Sequence, residues 1–262
     1  MTKHLSVDHV AHNVSIYSLK GIAPYYAREP LFPPEIQIFI KHKVEFADKI
    51  VLDIGVGTGR TSKYLAPYCK RYVGIELNKD MLDLFSENLP NIELVHCDMR
   101  EFSTLNKDIF DFVLGPYSAF DSLNHADRIK MFNDIHAMMR PGGMFCFSTH
   151  NLNWRGVGST PQLERARDPV RLLKNLFAHR KCIKNHQRMK PLEEHHETYA
   201  ILNDISHEWL ALLYYITREQ QTSQLAEAGF DVLEVYDRDG ILLEAGRDDS
   251  RCSILYYVCR RV

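Results

Sequence analysis

Short apolar runs alternate with stretches of helical spacing along most of this chain. Lys49–Ile54, Arg71–Leu77, Ile92–Cys97 and Ile109–Leu114 are the runs, too short and too uniformly apolar for surface helices. Between them, Thr61–Tyr68 has a helical pattern. Asn78 precedes a segment with Met81, Leu82, Phe85 and Leu89 on one face, as an N-cap would. Asp127–Met139 places Ile129, Phe132, Ile135 and Met139 together, and Arg140-Pro141-Gly142-Gly143 stops that helix before a strand over Met144–Phe147. Strand–helix alternation of this kind predicts an α/β fold with a mostly parallel sheet and helices on both faces.

The two ends and one long interior segment depart from that rhythm. Residues 1–48 carry Tyr17, Tyr25, Tyr26 and the prolines 30, 33 and 34. A helix over Glu35–Phe46 follows, with Ile36, Ile38, Phe39, Ile40 and Val44 as a broad apolar face. This part is read as an N-terminal helical lid, its tyrosines serving either packing or closure over a ligand. Residues 151–216 are read as an insertion covering the substrate side. Within it, Thr198–Leu202 and His207–Ile216 suggest two strands about a turn at Asn203-Asp204. Thr217-Arg218-Glu219-Gln220 forms a capping box for a helix ending near Gly229. Two strands, Phe230–Tyr236 and Ser253–Arg260, finish the chain around a polar loop over 237–251.

The candidate chemistry begins where the first strand ends. Val51-Leu52-Asp53-Ile54 runs into Gly55-Val56-Gly57-Thr58-Gly59. Glycines there permit positive φ and let a ligand lie against the peptide groups. The carboxyl end of a buried strand is where open α/β sheets bind nucleotide-like ligands. The spacing is G-x-G-x-G, one residue shorter than the dinucleotide fingerprint. Glu76 closes the second strand, where an ionised carboxylate can accept two ribose hydroxyls; the alternative is a solvated strand end. Asp98 closes the third strand and also suits an N-cap.

Asp53 with Gly55, Gly57 and Gly59, then Glu76, Asp98 and the Arg140–Gly143 stop, occur in the order found in class I S-adenosylmethionine (SAM)-dependent methyltransferases, which this chain resembles over residues 47–150 and, by pattern, 217–262. The resemblance implies a Rossmann-like sheet of seven strands with the last antiparallel. It implies SAM as cofactor, held by Asp53, the three glycines, Glu76, Leu77, Met81, Asp98, Met99 and Gly115. Asp98 would receive the adenine amino group and Met99 would pack on the ring. Gly115-Pro116-Tyr117 would line the space between the methyl and its acceptor. Arg60 departs from the pattern, where small or aliphatic residues are frequent, and is read as a solvated helix residue.

Methyl transfer asks mainly for alignment and desolvation, so no catalytic triad is expected. A base helps where the acceptor is a hydroxyl or a protonated amine. His150, after the fifth strand, is the candidate for it, with a structural histidine as the alternative; Tyr117 is read as orienting the acceptor. Tyr17, Tyr25, Tyr26, Tyr117, Asn151, Trp154 and Tyr215 are the candidate acceptor contacts, and Trp209 and Tyr214 add to an aromatic-rich cap that suits a flat or cationic small molecule.

Charge and composition narrow the classes. A net charge of −2 over 262 residues gives no general attraction to nucleic acid or membrane. Residues 161–190 hold nine Lys/Arg against two Asp/Glu, which admits an RNA or protein substrate, although helical spacing favours a solvated face. His195 and His196 among Glu193, Glu194 and Glu197 lack metal-ligand spacing and read as a charged turn, so no metal is expected. Six scattered cysteines, no membrane-length apolar run and no signal-peptide pattern predict a cytoplasmic enzyme, as a monomer or homodimer.

Overall fold

A computed structural model describes residues 8–85, 91–105 and 108–262. Four helices lead into the sheet: α1 (His9–Tyr17), α2 (Ile22–Tyr26), α3 (Pro33–Lys41) and α4 (Lys43–Phe46). The alternating core follows as β1 (Ile50–Ile54), α5 (Ser62–Leu65), β2 (Arg71–Glu76), α6 (Lys79–Asp83), β3 (Ile92–His96), α7 (Met99–Leu105), β4 (Phe110–Gly115), α8 (His125–Met138) and β5 (Met139–Asn151). Then come α9 (Pro169–Met189), β6 (Glu194–His195), β7 (Tyr199–Asn203), β8 (Leu212–Ile216), α10 (Arg218–Glu227), β9 (Phe230–Tyr236) and β10 (Ile254–Arg261).

The strands β3-β2-β1-β4-β5 pair in parallel, β10 runs antiparallel to β5, and β9 pairs with β10. This is the expected doubly wound sheet with its antiparallel last strand. Side chains alternate across it. Leu52, Ile54, Val113 and Phe145 enter the core on one face, while Val51, Phe112, Leu114 and Cys146 enter the core on the other. Burial on both faces is why these strands read as continuous apolar runs.

Three elements differ from the sequence expectation. The fifth strand is longer, because its polar end is buried and bonded: Ser148 Oγ accepts from Ser118 N at 2.8 Å, and Thr149 Oγ1 donates to Asp121 at 2.7 Å. The extra length lets β5 serve a second partner. His150 and Asn151 pair in parallel with Tyr215 and Ile216 of β8, so β6–β8 of the 151–216 region continue the sheet instead of standing apart from it. The helix expected over Glu35–Phe46 breaks at His42 into α3 and α4, and Ile36, Ile40 and Val44 of its apolar face are exposed while Glu35 is buried. The strand expected from His207 starts only at Leu212, because His207, Glu208 and Trp209 all have φ between +52° and +66°. Leu89, expected beside Met81, lies outside the described residues.

Other boundaries shift by less. The helix after the glycines is one turn, α5, followed by a 3-10 turn over Ala66–Tyr68 that contains Pro67. Asn78, Asn124, Asp168 and Thr217 cap α6, α8, α9 and α10 with their side chains. The Arg140–Gly143 stop lies inside β5, with Gly142 at φ +76°. On α8 the buried positions include Arg128, which periodicity places outside the apolar face. Among the described residues no helix is long and apolar enough to cross a membrane.

Two buried carboxylates fix the sheet ends. Asp121, fully buried, accepts from Arg128 Nη1 at 2.8 Å, Thr149 Oγ1 at 2.7 Å, and both His150 N at 2.8 Å and Nδ1 at 2.6 Å. Arg128 also donates to Gln221 of α10 at 2.8 Å. Asp121→Ala leaves Arg128 charged, buried and without its counter-ion, so urea unfolding is expected to report a loss of about 3–5 kcal/mol. A loss below 1 kcal/mol would show that the pair is not a structural anchor.

Asp53, on β1, accepts from Thr61 Oγ1 at 2.5 Å and from the Tyr72 hydroxyl, and burial pushes its pKa up to about 6. The folded chain therefore keeps this proton in a range where the unfolded chain has lost it. Stability contributed by the group is present at low pH and is lost as pH rises from about 4 through about 6. Asp53→Asn has no such titration. Its stability relative to the parent is expected to rise by ~2 kcal/mol between pH 4.5 and 7 in urea titrations; parallel pH profiles for the two proteins would refute the assignment.

Candidate functional site

The glycine turn stands at the carboxyl edge of the sheet. Gly55, Gly57 and Gly59 have φ of +76°, +57° and +88°. Gly55 N and Val56 N both donate to Ile75 O, at 2.9 and 3.0 Å, fastening the turn to β2. A Cβ on Gly59 would lie 2.7 Å from the Phe85 ring, so this position is closed to other residues. Glu76 Oε2 accepts from Gly57 N at 3.1 Å and Oε1 from Asn78 N at 2.8 Å. Burial raises the Glu76 pKa, and these backbone bonds work against the rise.

A cavity of about 150 Å³ opens above this turn. Gly55, Gly57, Glu76, Leu77, Met81 and Met99 form its floor and one wall, and Tyr17, Tyr26 and Tyr117 stand among the other lining residues. A second hollow of about 60 Å³ shares Glu76, Leu77 and Met99 and adds Cys97 and Asp98. The Asp98 carboxylate is engaged by Arg100 through Nε at 3.1 Å and Nη2 at 2.6 Å. Burial would raise its pKa, but the Arg100 bonds outweigh that and hold it low.

The tyrosine wall is attached by buried polar contacts. Arg60, read from sequence as solvated, is 8% exposed and makes a bidentate pair with Glu35 at 2.5 and 2.6 Å. Its guanidinium also donates to Pro30 O and lies over the rings of Phe32 and Tyr117, which stack at 5.2 Å. Asn78 Nδ2 donates to Tyr17 O at 2.7 Å. Tyr117 and Ser118 hold left-handed φ of 55° and 57°, which costs roughly 1–2 kcal/mol each and aims Tyr117 toward Tyr26, 5.3 Å away between ring centroids.

The remaining sequence candidates do not line either cavity. Asp53 sits beneath the turn, and Gly115 lies under the Phe120 ring, 2.2 Å from where its Cβ would be. His150 is held by Asp121 through Nδ1, with Nε2 3.9 Å from Asp204. Burial opposes its charge, but the Asp121 bond and the charge of Asp204 raise its pKa above the ordinary histidine value. Tyr215 donates to Asp204 at 2.7 Å and packs 4.9 Å from His150. Asn151 is fully buried, donating to Asp249 O and Cys252 O, and so fastens the 237–251 loop to β5. Trp154 packs over Gly156, and Tyr25 is exposed beside Tyr26. The 193–197 turn is only partly solvated, since the Glu193 side chain is buried with Lys190 Nζ at 2.7 Å.

Sequence reasoning missed Glu35, Asp121, Asp204 and His207. His207 touches the tyrosine wall, its Nε2 3.3 Å from Tyr26 Oη and its ring 5.0 Å edge-on to Tyr17. Arg60 carried the one available signal, as a charge where a small residue is usual.

Comparison with known proteins agrees with this geometry. Residues 51–143 match a family model described as a methyltransferase domain. An uncharacterized methyltransferase of Oceanobacillus iheyensis is 33% identical over 104 residues, 40% of this chain and 48% of that protein. A ubiquinone biosynthesis O-methyltransferase of Coxiella burnetii is 26% identical over 121 residues, 45% of this chain and 50% of that protein. The chain thus spans about half the length of the curated relatives it matches. In fold it is similar to the 1,6-didemethyltoxoflavin-N1-methyltransferase of Burkholderia thailandensis, with a TM-score of 0.61 at 16% identity, over 100% of this chain and 93% of that one. The glycine turn and the acidic end of β2 lie in the stretch, residues 51–143, that matches a methyltransferase domain, and the fold is similar to that of solved SAM-dependent methyltransferases.

Proposed function

We propose that this chain transfers a methyl group from SAM to a small-molecule acceptor, at nitrogen or oxygen, within the crevice between the glycine turn and the tyrosine wall. The observation that carries the reading is the half-buried Glu76 carboxylate, tied to Gly57 N at the crevice floor. A carboxylate in that place suits two ribose hydroxyls, and its partners leave lone pairs free to accept them. Gly55 and Gly57 give close approach to main-chain groups, and Met81 and Met99 supply apolar walls for a ring. Bound there, SAM supplies a methyl group on a positively charged sulfur that needs no further activation. The protein's part is to align the acceptor and exclude water.

Residues 1–48 serve as the lid over the crevice, and residues 151–216 form the acceptor side. Small-molecule specificity draws support from Tyr17, Tyr26 and Tyr117, which shape an aromatic wall, and from the 1,6-didemethyltoxoflavin named for the Burkholderia thailandensis enzyme. The basic 161–190 stretch favours a nucleic-acid or protein substrate less, because α9 stays outside the crevice lining and Arg171, Lys181 and Lys190 are paired with Glu164, Glu208 and Glu193. The cysteines, all free, suit a reducing compartment such as the cytoplasm.

Calorimetry with SAM tests the cofactor assignment. Glu76→Ala is expected to weaken binding by ~1.5–3 kcal/mol through lost charge-assisted bonds, and Gly57→Val to abolish it by filling the crevice floor. Unchanged affinity in both would sink the reading. Transfer of tritiated methyl to a pooled panel of amines, phenols and sugars tests the enzymatic part, against a non-catalytic SAM-binding module that binds without turnover.

The Arg60–Glu35 pair offers a separate check on the lid. Arg60→Met leaves Glu35 buried with the Phe32 N bond but without its counter-ion and is expected to cost about 3–5 kcal/mol in stability, while Arg60→Met with Glu35→Met restores much of it. If the double variant is stable yet binds SAM as tightly as the parent, the clamp does not form the crevice wall.

A further inference from the structure

We propose that Tyr26 and His207 form the proton-accepting pair of the acceptor site, Tyr26 meeting the acceptor at the crevice wall and His207 taking the proton behind it. This rests on the methyl-transfer reading above and assigns to residues of α2 and the β7–β8 connection a role that sequence alone gave to His150.

The first observation is the backbone around His207. His207, Glu208 and Trp209 are three consecutive non-glycine residues in the left-handed region, with φ of 52°, 58° and 66°; among the described residues no other run of three occurs. Histidine tolerates this region, as Asn and Asp do, but Glu208 and Trp209 do not belong to those types. The turn persists because three separate elements hold its carbonyls. Glu208 O accepts from Asn185 of α9 at 2.9 Å, Trp209 O from Asn203 of β7 at 3.1 Å, and Leu210 O lies 2.9 Å from His12 Nε2 of α1. Strain held from several sides points to a position that must be kept. What it keeps is the imidazole against the tyrosines of the crevice.

The second observation is what surrounds the ring. Nε2 is 3.3 Å from Tyr26 Oη, and Tyr26 lines the cavity beside Tyr117. The Tyr17 ring closes the other side edge-on. Burial lowers the His207 pKa, so the ring is neutral near pH 7 and has a lone pair to offer. Asp204, on the same loop, opposes that shift and favours the imidazolium once it forms. Glu208 is turned to Lys181 at 2.5 Å, and the Tyr17 and Tyr26 hydroxyls stay protonated because burial raises both. His150 lacks this freedom: Nδ1 is committed to Asp121 and the ring packs on Tyr215, which does not line the cavity, whereas His207 meets Tyr26, which does.

The proton balance is simple. The acceptor O–H or N–H gives its proton to Tyr26 Oη as the Tyr26 proton passes to His207 Nε2. Tyr26 ends neutral and His207 ends as imidazolium, whose positive charge equals that lost when the sulfonium gives up its methyl. The imidazolium then releases the proton to solvent.

The test uses the full chain saturated with S-adenosylhomocysteine. Long-range proton–nitrogen NMR of the histidine rings is expected to show His207 neutral at pH 7, protonated on Nδ1, with an Nε2 resonance that moves in Tyr26→Phe and stays put in His150→Gln. A His207 already imidazolium at pH 7, or an Nε2 signal indifferent to Tyr26→Phe, overturns the proposal. On an acceptor found with the pooled panel, His207→Asn, which suits the left-handed turn, is expected to lower kcat about 100-fold or more. Its affinity for S-adenosylhomocysteine should stay within twofold, and added imidazole should restore part of the rate. Parent-like kcat in that variant also overturns the pair, whereas failure of the parent to bind S-adenosylhomocysteine overturns the methyl-transfer reading itself.

Discussion

A single buried ion pair holds the two halves of the site together. Arg60 belongs to the glycine turn and Glu35 to the N-terminal segment, and their bidentate contact is almost entirely removed from water. Two charges taken out of water are costly to separate once paired. The geometry is therefore close to all-or-none: the segment from Pro30 to Glu35 either lies on the turn or leaves it. Phe32, Tyr117 and the Arg60 plane stack only in the first case. The Phe32–Tyr117 part of the aromatic wall is thus a consequence of the pair, while Tyr17 and Tyr26 are held separately through Asn78 and His207.

The opposite end of the site depends on Asp121 in the same way. It satisfies Arg128 of α8, Thr149 and His150 of β5 and, through Arg128, Gln221 of α10. Those contacts keep the polar end of β5 inside the protein, where it can hand the sheet on to β8. The β7–β8 connection then reaches back toward α1 and α2, bringing His207 to Tyr17 and Tyr26. Main-chain amides and one carboxylate lie on one side of the crevice, and rings with a strained turn lie on the other. A reaction that mainly requires alignment and a dry site is well matched to such a division.

Strain and desolvation are concentrated where the two sides meet. Tyr117–Ser118 and His207–Trp209 are the consecutive left-handed non-glycine residues among those described, and Tyr26 touches both segments. Burial also raises Glu76 and Asp53 and lowers His207, all within the same region. Such clustering is characteristic of sites that bind or react, because elsewhere these costs would have been relieved by a different residue.

The periodic part of the chain determined the sheet by itself. Runs such as Val51–Ile54 and Phe110–Leu114 are buried on both faces, so local hydrophobicity is enough to place them, and the glycine turn and Glu76 mark strand ends through backbone and cap chemistry that is also local. Arg60, Asp121, Arg128 and His207 were decided only by the tertiary structure. Each is polar and reads as solvent-facing in a linear pattern, and each is buried or positioned by a partner far away in sequence: Glu35 for Arg60, His150 and Thr149 for Asp121, Gln221 for Arg128, Tyr26 for His207. Hydrophobic spacing records which face of an element avoids water. It carries no information about which charge on that element finds its counterpart, because that depends on the distance between elements after they pack.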